Sequence, residues 1–366
     1  MYHINGAKIR RLREDMGLTQ GELAKSVGLS SEFISLLELE KRAPSLESLS
    51  KIAKCLNKEI SYFIMEKEEA FSRLSHAEKI SKRTERLLKK FQRYCREYTE
   101  LEELTDRHSP LAPLYTNVKA ERMADQERHR LGLGNEPIRD LFFLLELNGL
   151  RMWRHPVPEE SKISGLFLFL DSKQAAFALV DSSLSFGQQA LIAAHEYCHY
   201  LRDRYESPVI DNPDVFIDEY IDLYPGRERF AQTFAMNFLM PGGKVREVIE
   251  KDIRLKKLNF EDIIYLTSYF GVSTIAMLRT LRELGFLSQA KFKEHQKMIA
   301  KSKEQPLLRY FPVVGQPRLH KGKGVLSARL TSLVLEAYKK RKITTERAAR
   351  LLRMSRERIT REVLRS

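Results

Sequence analysis

Cysteine is scarce in this 366-residue sequence. Cys55, Cys95 and Cys198 stand far apart and form no CxxC pair. This excludes a disulfide framework or a thiolate zinc site and points to a reducing, cytoplasmic setting. Long apolar runs are missing too: no stretch of about eighteen apolar residues occurs, so no membrane-spanning helix is expected. The opening MYHINGAKIRRLRED lacks the apolar core of a signal peptide. Simple tandem repeats and long low-complexity tracts are also absent from the sequence.

Charge is plentiful but unevenly spread. The net charge is +14; residues 291–366 carry 21 Lys and Arg against 6 Asp and Glu, whereas residues 1–65 carry 10 against 8. The basic C-terminal stretch reads equally as an electrostatic footprint for nucleic acid and as a solvated charged surface.

Residues 8–57 read as a run of short helices. A first one stops at Gly17. In TQGELAKSVG, Thr19 and Glu22 form a capping box and Gly28 is the stop. A further helix begins at Ser30 or Ser31, and Pro44-Ser45 opens another. Two short helices around a break at Gly28 have the spacing of a helix-turn-helix, with Leu23, Ala24, Val27, Ile34 and Leu37 as its core. Residues 66–106 contain no Gly or Pro, and Ala77, Ile80, Thr84, Leu87, Phe91, Tyr94, Tyr98 and Leu101 recur in steps of three and four. That seam fits either a coiled-coil dimer interface or one long helix packed on its own chain. Residues 117–150 read as helical around GLGNEP. GLFLFLD (165–171) and AAFALVD (175–181) read as a strand pair.

The stretch QQALIAAHEYCHYLRDR (188–204) carries the chemistry. Ser185 and Gln188 fit a capping box, so the segment is a helix. Residues four apart on a helix are offset by about 40° and about 6 Å. His195 and His199 therefore project from one face and can reach one ion. Glu196, about 100° round, lies beside that ion, where its carboxylate can take a proton from a water the metal has made acidic. A second helix in PGRERFAQTFAMNFLMPGG (225–243), bounded by Pro and Gly, aligns Glu228, Ala231, Ala235 and Phe238 on one face. A carboxylate on an apolar stripe is costly to bury unless it meets a cation, and small Ala193 and Ala194 would let the two helices pack closely. Glu228 is thus the candidate third ligand, set against the plainer reading of a first-turn residue favoured by the helix dipole.

The HEYCH and ERFAQTFAMNFLMP segments, behind an N-terminal helix-turn-helix, resemble the ImmA/IrrE-type metallopeptidases over roughly residues 120–285, with Phe238 replacing a leucine of the pattern. The resemblance implies zinc held by His195, His199 and Glu228, with Glu196 as general base; the donor set also accommodates another divalent ion. The N-terminal segment resembles the Xre (lambda-repressor-like) DNA-binding domain. This implies phosphate contact by Gln20, a groove-facing set of Ser31, Glu32 and Ser35, and DNA contact by Lys41 and Arg42. Glu40 departs from the usual Gly or Asn. Ser and Glu stand where Arg or Gln would give bidentate base contacts, so dimerisation or help from the basic C-terminus is expected. There, ITTERAARLLRMSRERITREVL has helix-turn-helix rhythm, with Thr344 or Thr345 as cap and Ser355 opening another helix.

Other residues are read more plainly: Cys198 as a small buried side chain, and Trp153 as core or sheet edge. Tyr197 and Tyr200 are candidate oxyanion donors; His108, His129 and His155 are surface or structural. The expected fold is α+β, mainly helical with a small sheet. Its parts are a DNA-binding domain in 1–65, a helical linker in 66–116, a metallopeptidase-like domain in 117–285 and a basic helical region in 286–366. The expected protein is a homodimeric, cytoplasmic regulator that binds DNA and cleaves a protein substrate such as a repressor or antitoxin-like partner. The alternative is a regulator that uses the peptidase-like domain as a sensor or scaffold and cuts nothing.

Overall fold

A computed structural model describes residues 3–4, 6–39, 41–60, 63–65, 81–211, 226–253, 258–301 and 325–363. Glu40, Ala77, Ile80 and Pro225, which figured in the sequence reading, lie outside them. The N-terminal unit comprises β1 (His3–Ile4), α1 (Gly6–Asp15), α2 (Gln20–Val27), α3 (Ser31–Glu38), α4 (Leu46–Cys55) and β2 (Ile64–Met65), with β1 and β2 antiparallel. Thr19 and Glu22 form the capping box of α2, and Gly28 ends it at φ 69°. Side chains from each helix meet in one core around Ile9, Leu23, Ile34 and Ile52.

After α5 (Lys82–Thr105), α6 (Ala120–Arg130) and α7 (Leu141–Leu147) come β3 (Leu150–His155), β4 (Gly165–Leu170) and β5 (Ala175–Asp181), then α8 (Phe186–Arg202) and β6 (Val209–Asp211). The strands form one mixed sheet in the order β3-β5-β4-β6, with β3 parallel to β5 and the other pairs antiparallel. Both faces are covered, which is why β4 and β5 read as continuous apolar runs. Phe167, Phe169, Ala176 and Ala178 face a core shared with α8 and with α9 (Gly226–Leu239), α10 (Gly242–Val248), α11 (Phe260–Phe270), α12 (Thr274–Glu283) and α13 (Gln289–Ala300). The alternate residues Leu166, Leu168, Phe177 and Leu179 face a second core.

That second core settles what the seam of residues 77–101 does over its described part. Leu87, Phe91, Tyr98 and Leu101 of α5 pack on the sheet and on α14 (Ala328–Lys339) and α15 (Thr345–Leu352), which α16 (Arg356–Val363) follows. The seam is therefore filled by its own chain, and its reading as a coiled-coil dimer interface is corrected: heptad spacing fixes an apolar stripe and leaves open which chain covers it. Basic C-terminal residues help to hold this face. Arg347 pairs with Glu100 at 2.6 Å, Arg350 with Glu97 at 2.6 Å, and Arg107 of the following turn with Glu336 at 2.8 Å.

Edge strand β3 was not foreseen. Arg151 and Arg154 give LRMWRH a surface character, yet both are buried. Arg151 forms a two-pronged bond to one oxygen of Glu102 (2.9 and 2.7 Å), and Arg154 does the same to the Gln189 amide oxygen (2.9 and 2.7 Å). The Arg154 guanidinium also lies 3.9 Å from the centroid of the Phe142 ring. Trp153 on this edge strand stacks between Phe91 and His155.

Candidate metal centre and nucleic-acid face

Helix α8 is buried along almost its whole length, from Gln189 to Leu201. Its capping box of Ser185 and Gln188 fixes where it starts. Helix α9 lies against it, and Ala193, Ala194, Ala231 and Ala235 on the two helices are all fully buried. Phe234 and Phe238 stack on each other at 5.3 Å and flank Tyr197. The close packing brings Glu228 to the histidines: its Oε2 lies 3.2 Å from His195 Nε2 and 3.3 Å from His199 Nε2.

The remaining atoms of these side chains define the electrostatics. His199 Nδ1 stands 3.0 Å from Asp203 Oδ2, and Arg202 donates to the other Asp203 oxygen at 3.0 Å. A carboxylate can only accept, so Nδ1 carries a proton, which points Nε2 at Glu228. Facing a carboxylate, Nε2 takes either a proton of its own or a cation, and both put positive charge between the two groups. Arg227 donates to Glu228 Oε1 at 2.9 Å. Burial by itself would raise the Glu228 carboxyl, but hydrogen bonds and charge from His195 and His199 outweigh it and hold the group well below the usual carboxylate range.

The residues fit a divalent ion. One ligand atom each from His195, His199 and Glu228 lie within 4.8 Å of one another, all in buried side chains. Bonds of about 2.0–2.1 Å in a tetrahedron imply ligand separations of about 3.3 Å. The two carboxylate–imidazole distances, 3.2 and 3.3 Å, match that edge. Two imidazoles and a carboxylate are a donor set suited to zinc.

Glu196 is fully buried beside this cluster, and β4 makes room for it. A Cβ on Gly165 would lie 2.0 Å from Glu196 Oε1 and 2.8 Å from Ile192 Cγ2, so only glycine lets the strand approach the carboxylate. Gly165 and Asp203 were missed in the sequence. Asp203 had a legible signal, a carboxylate one turn beyond the second histidine on a buried helix. Gly165 had none, because its role depends on a strand-to-helix distance.

The two tyrosines read as oxyanion donors are engaged elsewhere. Tyr197 donates to Glu127, which also accepts from Tyr115 at 2.8 Å and from Arg130 at 2.8 and 2.6 Å. Tyr200 accepts from the Ala112 amide at 2.9 Å. Both are fully buried and tie α8 to α6 and to the segment before it. Cys198 is buried as expected, and burial pushes its thiol up.

In the N-terminal unit, Ser31 and Glu32 are exposed and Ser35 is half-buried on α3, while Lys41 and Arg42 are exposed just beyond it. The Arg42 guanidinium covers the Phe33 ring at 4.9 Å. Gln20 is half-buried, and its amide donates to Glu38 Oε2 at 2.8 Å. Glu38 in turn takes two hydrogen bonds from buried Arg13, at 2.6 and 3.0 Å. Gln20 therefore links α2 to α3, in addition to the phosphate contact expected of it.

Fold and site together define a helix-turn-helix module joined to a metallopeptidase-like domain. Residues 9–63 match the helix-turn-helix family model, and residues 162–282 match that of the IrrE N-terminal-like domain. Two proteins from Archaeoglobus fulgidus, each described as an uncharacterized HTH-type transcriptional regulator, are 43% and 40% identical to this chain over 67 residues. Those residues are 18% of this chain and 96% and 94% of the two relatives. The chain belongs to the helix-turn-helix family through its N-terminal unit, and it carries an IrrE N-terminal-like domain behind it.

Proposed function

We propose that the protein is a DNA-bound transcription regulator whose second domain is a zinc-dependent endopeptidase. The observation that carries the peptidase reading is the convergence of His195, His199 and Glu228 beside Glu196 on one buried helix pair. Zinc held there would supply Lewis acidity, polarising a peptide carbonyl and making water acidic near neutral pH. Glu196 takes the proton from the attacking water and delivers it to the leaving amide nitrogen. Asp203 holds His199 in the tautomer that presents Nε2, and Arg227 holds Glu228 from its far oxygen. The protein substrate is a repressor or antitoxin-like partner.

The DNA reading is supported by the family match and by the exposure of Ser31, Glu32, Lys41 and Arg42 at one end of the N-terminal unit. DNA binding sets the protein in the cytoplasm. A homodimer would raise the affinity of a unit with so little net charge, and it would use a surface other than the α5 seam. A regulator that used the second domain only as a sensor or scaffold would have no use for Glu196, since three ligands hold a metal without it. The test is metal analysis of purified protein. Wild type and Glu196→Gln should each carry one zinc per chain, and His199→Ala should lose it; equal metal content in all three would refute the site.

A further inference from the structure

The last helices of the chain repeat the N-terminal motif position by position. Thr19 caps α2 by accepting from the Glu22 amide at 3.2 Å, and Thr344 caps α15 by accepting from the Arg347 amide at 3.2 Å. Each capped helix has eight residues. Each ends on a left-handed residue, Gly28 at φ 69° and Arg353 at φ 55°. The next amide turns back in both, Leu29 to the Ala24 carbonyl at 2.9 Å and Met354 to the Ala349 carbonyl at 3.0 Å. A serine follows and opens a second eight-residue helix. Ser30 accepts from Phe33 at 3.0 Å, and Ser355 accepts from Arg358 at 3.3 Å. Buried Leu23, Ala24, Val27 and Ile34 have buried counterparts in Ala348, Ala349, Leu352 and Ile359.

We propose that residues 344–363 form a second helix-turn-helix, which binds duplex DNA through the outer face of α16. This inference is independent of the peptidase reading and of DNA binding by the N-terminal motif. Three observations favour DNA as the occupant. The exposed face of α16 presents Arg356, Arg358, Thr360 and Arg361, with exposed Arg353 at the turn; the described acidic side chains beside them are Glu357 on the same helix and Glu346 of α15, which pairs with Arg356 at 3.3 Å. The same positions of α3 carry no basic residue. A helix of this kind fits the major groove, where arginine bonds guanine in bidentate fashion and phosphates attract the remainder. The preceding helix is anchored: Arg347 and Arg350 of α15 are held on Glu100 and Glu97 of α5, so α16 is the helix left facing outward.

The turn geometry alone would not suffice. The same left-handed glycine, apolar residue and capping serine recur at Gly271-Val272-Ser273 between α11 and α12. There, however, Thr274, Ala276, Met277, Leu278, Arg279, Thr280 and Leu281 are all buried, and nothing can dock on that helix. Exposure and charge set the C-terminal copy apart.

The test is fluorescence anisotropy of the full chain on a labelled random-sequence duplex, titrated at several salt concentrations. It compares wild type with Arg356→Gln/Arg358→Gln/Arg361→Gln, with a charge-matched Lys339→Gln/Lys340→Gln/Lys342→Gln control, and with Lys41→Gln/Arg42→Gln in the N-terminal motif. Loss of the α16 arginines should reduce the log–log salt slope by about 2–3, at about 0.9 per phosphate contact, and weaken low-salt binding at least about tenfold. The control should lose less than half as much. The N-terminal variant should keep the share of binding that depends on α16. An α16 variant that binds like wild type or like the control overturns the proposal, and so does tighter binding of single-stranded RNA than of duplex. Loss of all binding in the N-terminal variant alone overturns it while leaving the N-terminal reading intact. Wild type that binds no duplex overturns both. The substituted side chains are exposed, and an unchanged far-ultraviolet circular dichroism spectrum confirms that each variant is folded.

Discussion

Adding one methyl group at Gly165 should reveal whether β4 shapes the Glu196 site. A Cβ there would stand 2.0 Å from Glu196 Oε1, where ordinary contact begins at 3.4 Å. The carboxylate oxygen must therefore retreat by about 1.4 Å from its place against the strand. Overpacking of this order costs about 1–3 kcal/mol. Most of that cost is shared with Glu196, since the second contact, Ile192 Cγ2 at 2.8 Å, needs a smaller shift. A double-mutant cycle isolates the shared part. Gly165→Ala should lower the thermal midpoint markedly in the wild-type background and much less in a Glu196→Ala background. Calorimetry of the four proteins reads this without any knowledge of a substrate. An equal cost in both backgrounds would show that β4 does not press on Glu196. A displacement of that size should also cost about 100-fold in any reaction that needs Glu196, while zinc content stays at one per chain.

Further outcomes follow from neighbouring groups. Asp203→Asn should weaken zinc binding about 10- to 100-fold, measured by competition with a chelator, because the orienting partner of His199 loses its charge; unchanged affinity would remove Asp203 from the account. Burial raises the Glu146 carboxyl to about 7, against an ordinary 4.5, and hydrogen bonds from Ser327 and from backbone amides offset this only in part. The folded state then holds the proton more tightly than the unfolded one. The resulting stability is complete below about pH 4.5 and is lost as pH rises through about 7, a swing of about 3 kcal/mol. Glu146→Gln should flatten that dependence in denaturant unfolding followed between pH 5 and 8 and should be more stable than wild type at the upper end.

Local rules carried much of this structure into the sequence. The caps at Thr19, Ser45, Ser185 and Thr344 stand where the residue types announced them, because capping is a matter of three or four adjacent residues. The strand pair 165–171 and 175–181 and the helix bounded by Pro and Gly at 225–243 were legible for the same reason. Glu228 was legible because it alone breaks an apolar stripe with a carboxylate. What escaped depends on distant partners. Strand β3 was hidden by Arg151 and Arg154, which become core residues only when Glu102, Gln189 and Phe142 arrive from elsewhere. The α5 seam was visible, but its cover, the sheet and the C-terminal helices, was not. Tyr197 and Tyr200 lie next to the motif, yet their hydroxyls point to Glu127 and Ala112.

On the proposed mechanism Glu196 works on a peptide bond. The most direct measurement is a mass-spectrometric survey of new protein N-termini in cells carrying wild type or Glu196→Gln, with and without stress. At least one terminus should appear only with wild type, on a regulatory protein, while both proteins hold one zinc per chain. The same termini in both cells, with stoichiometric zinc in each, would contradict it and leave a regulator whose metal domain cuts nothing.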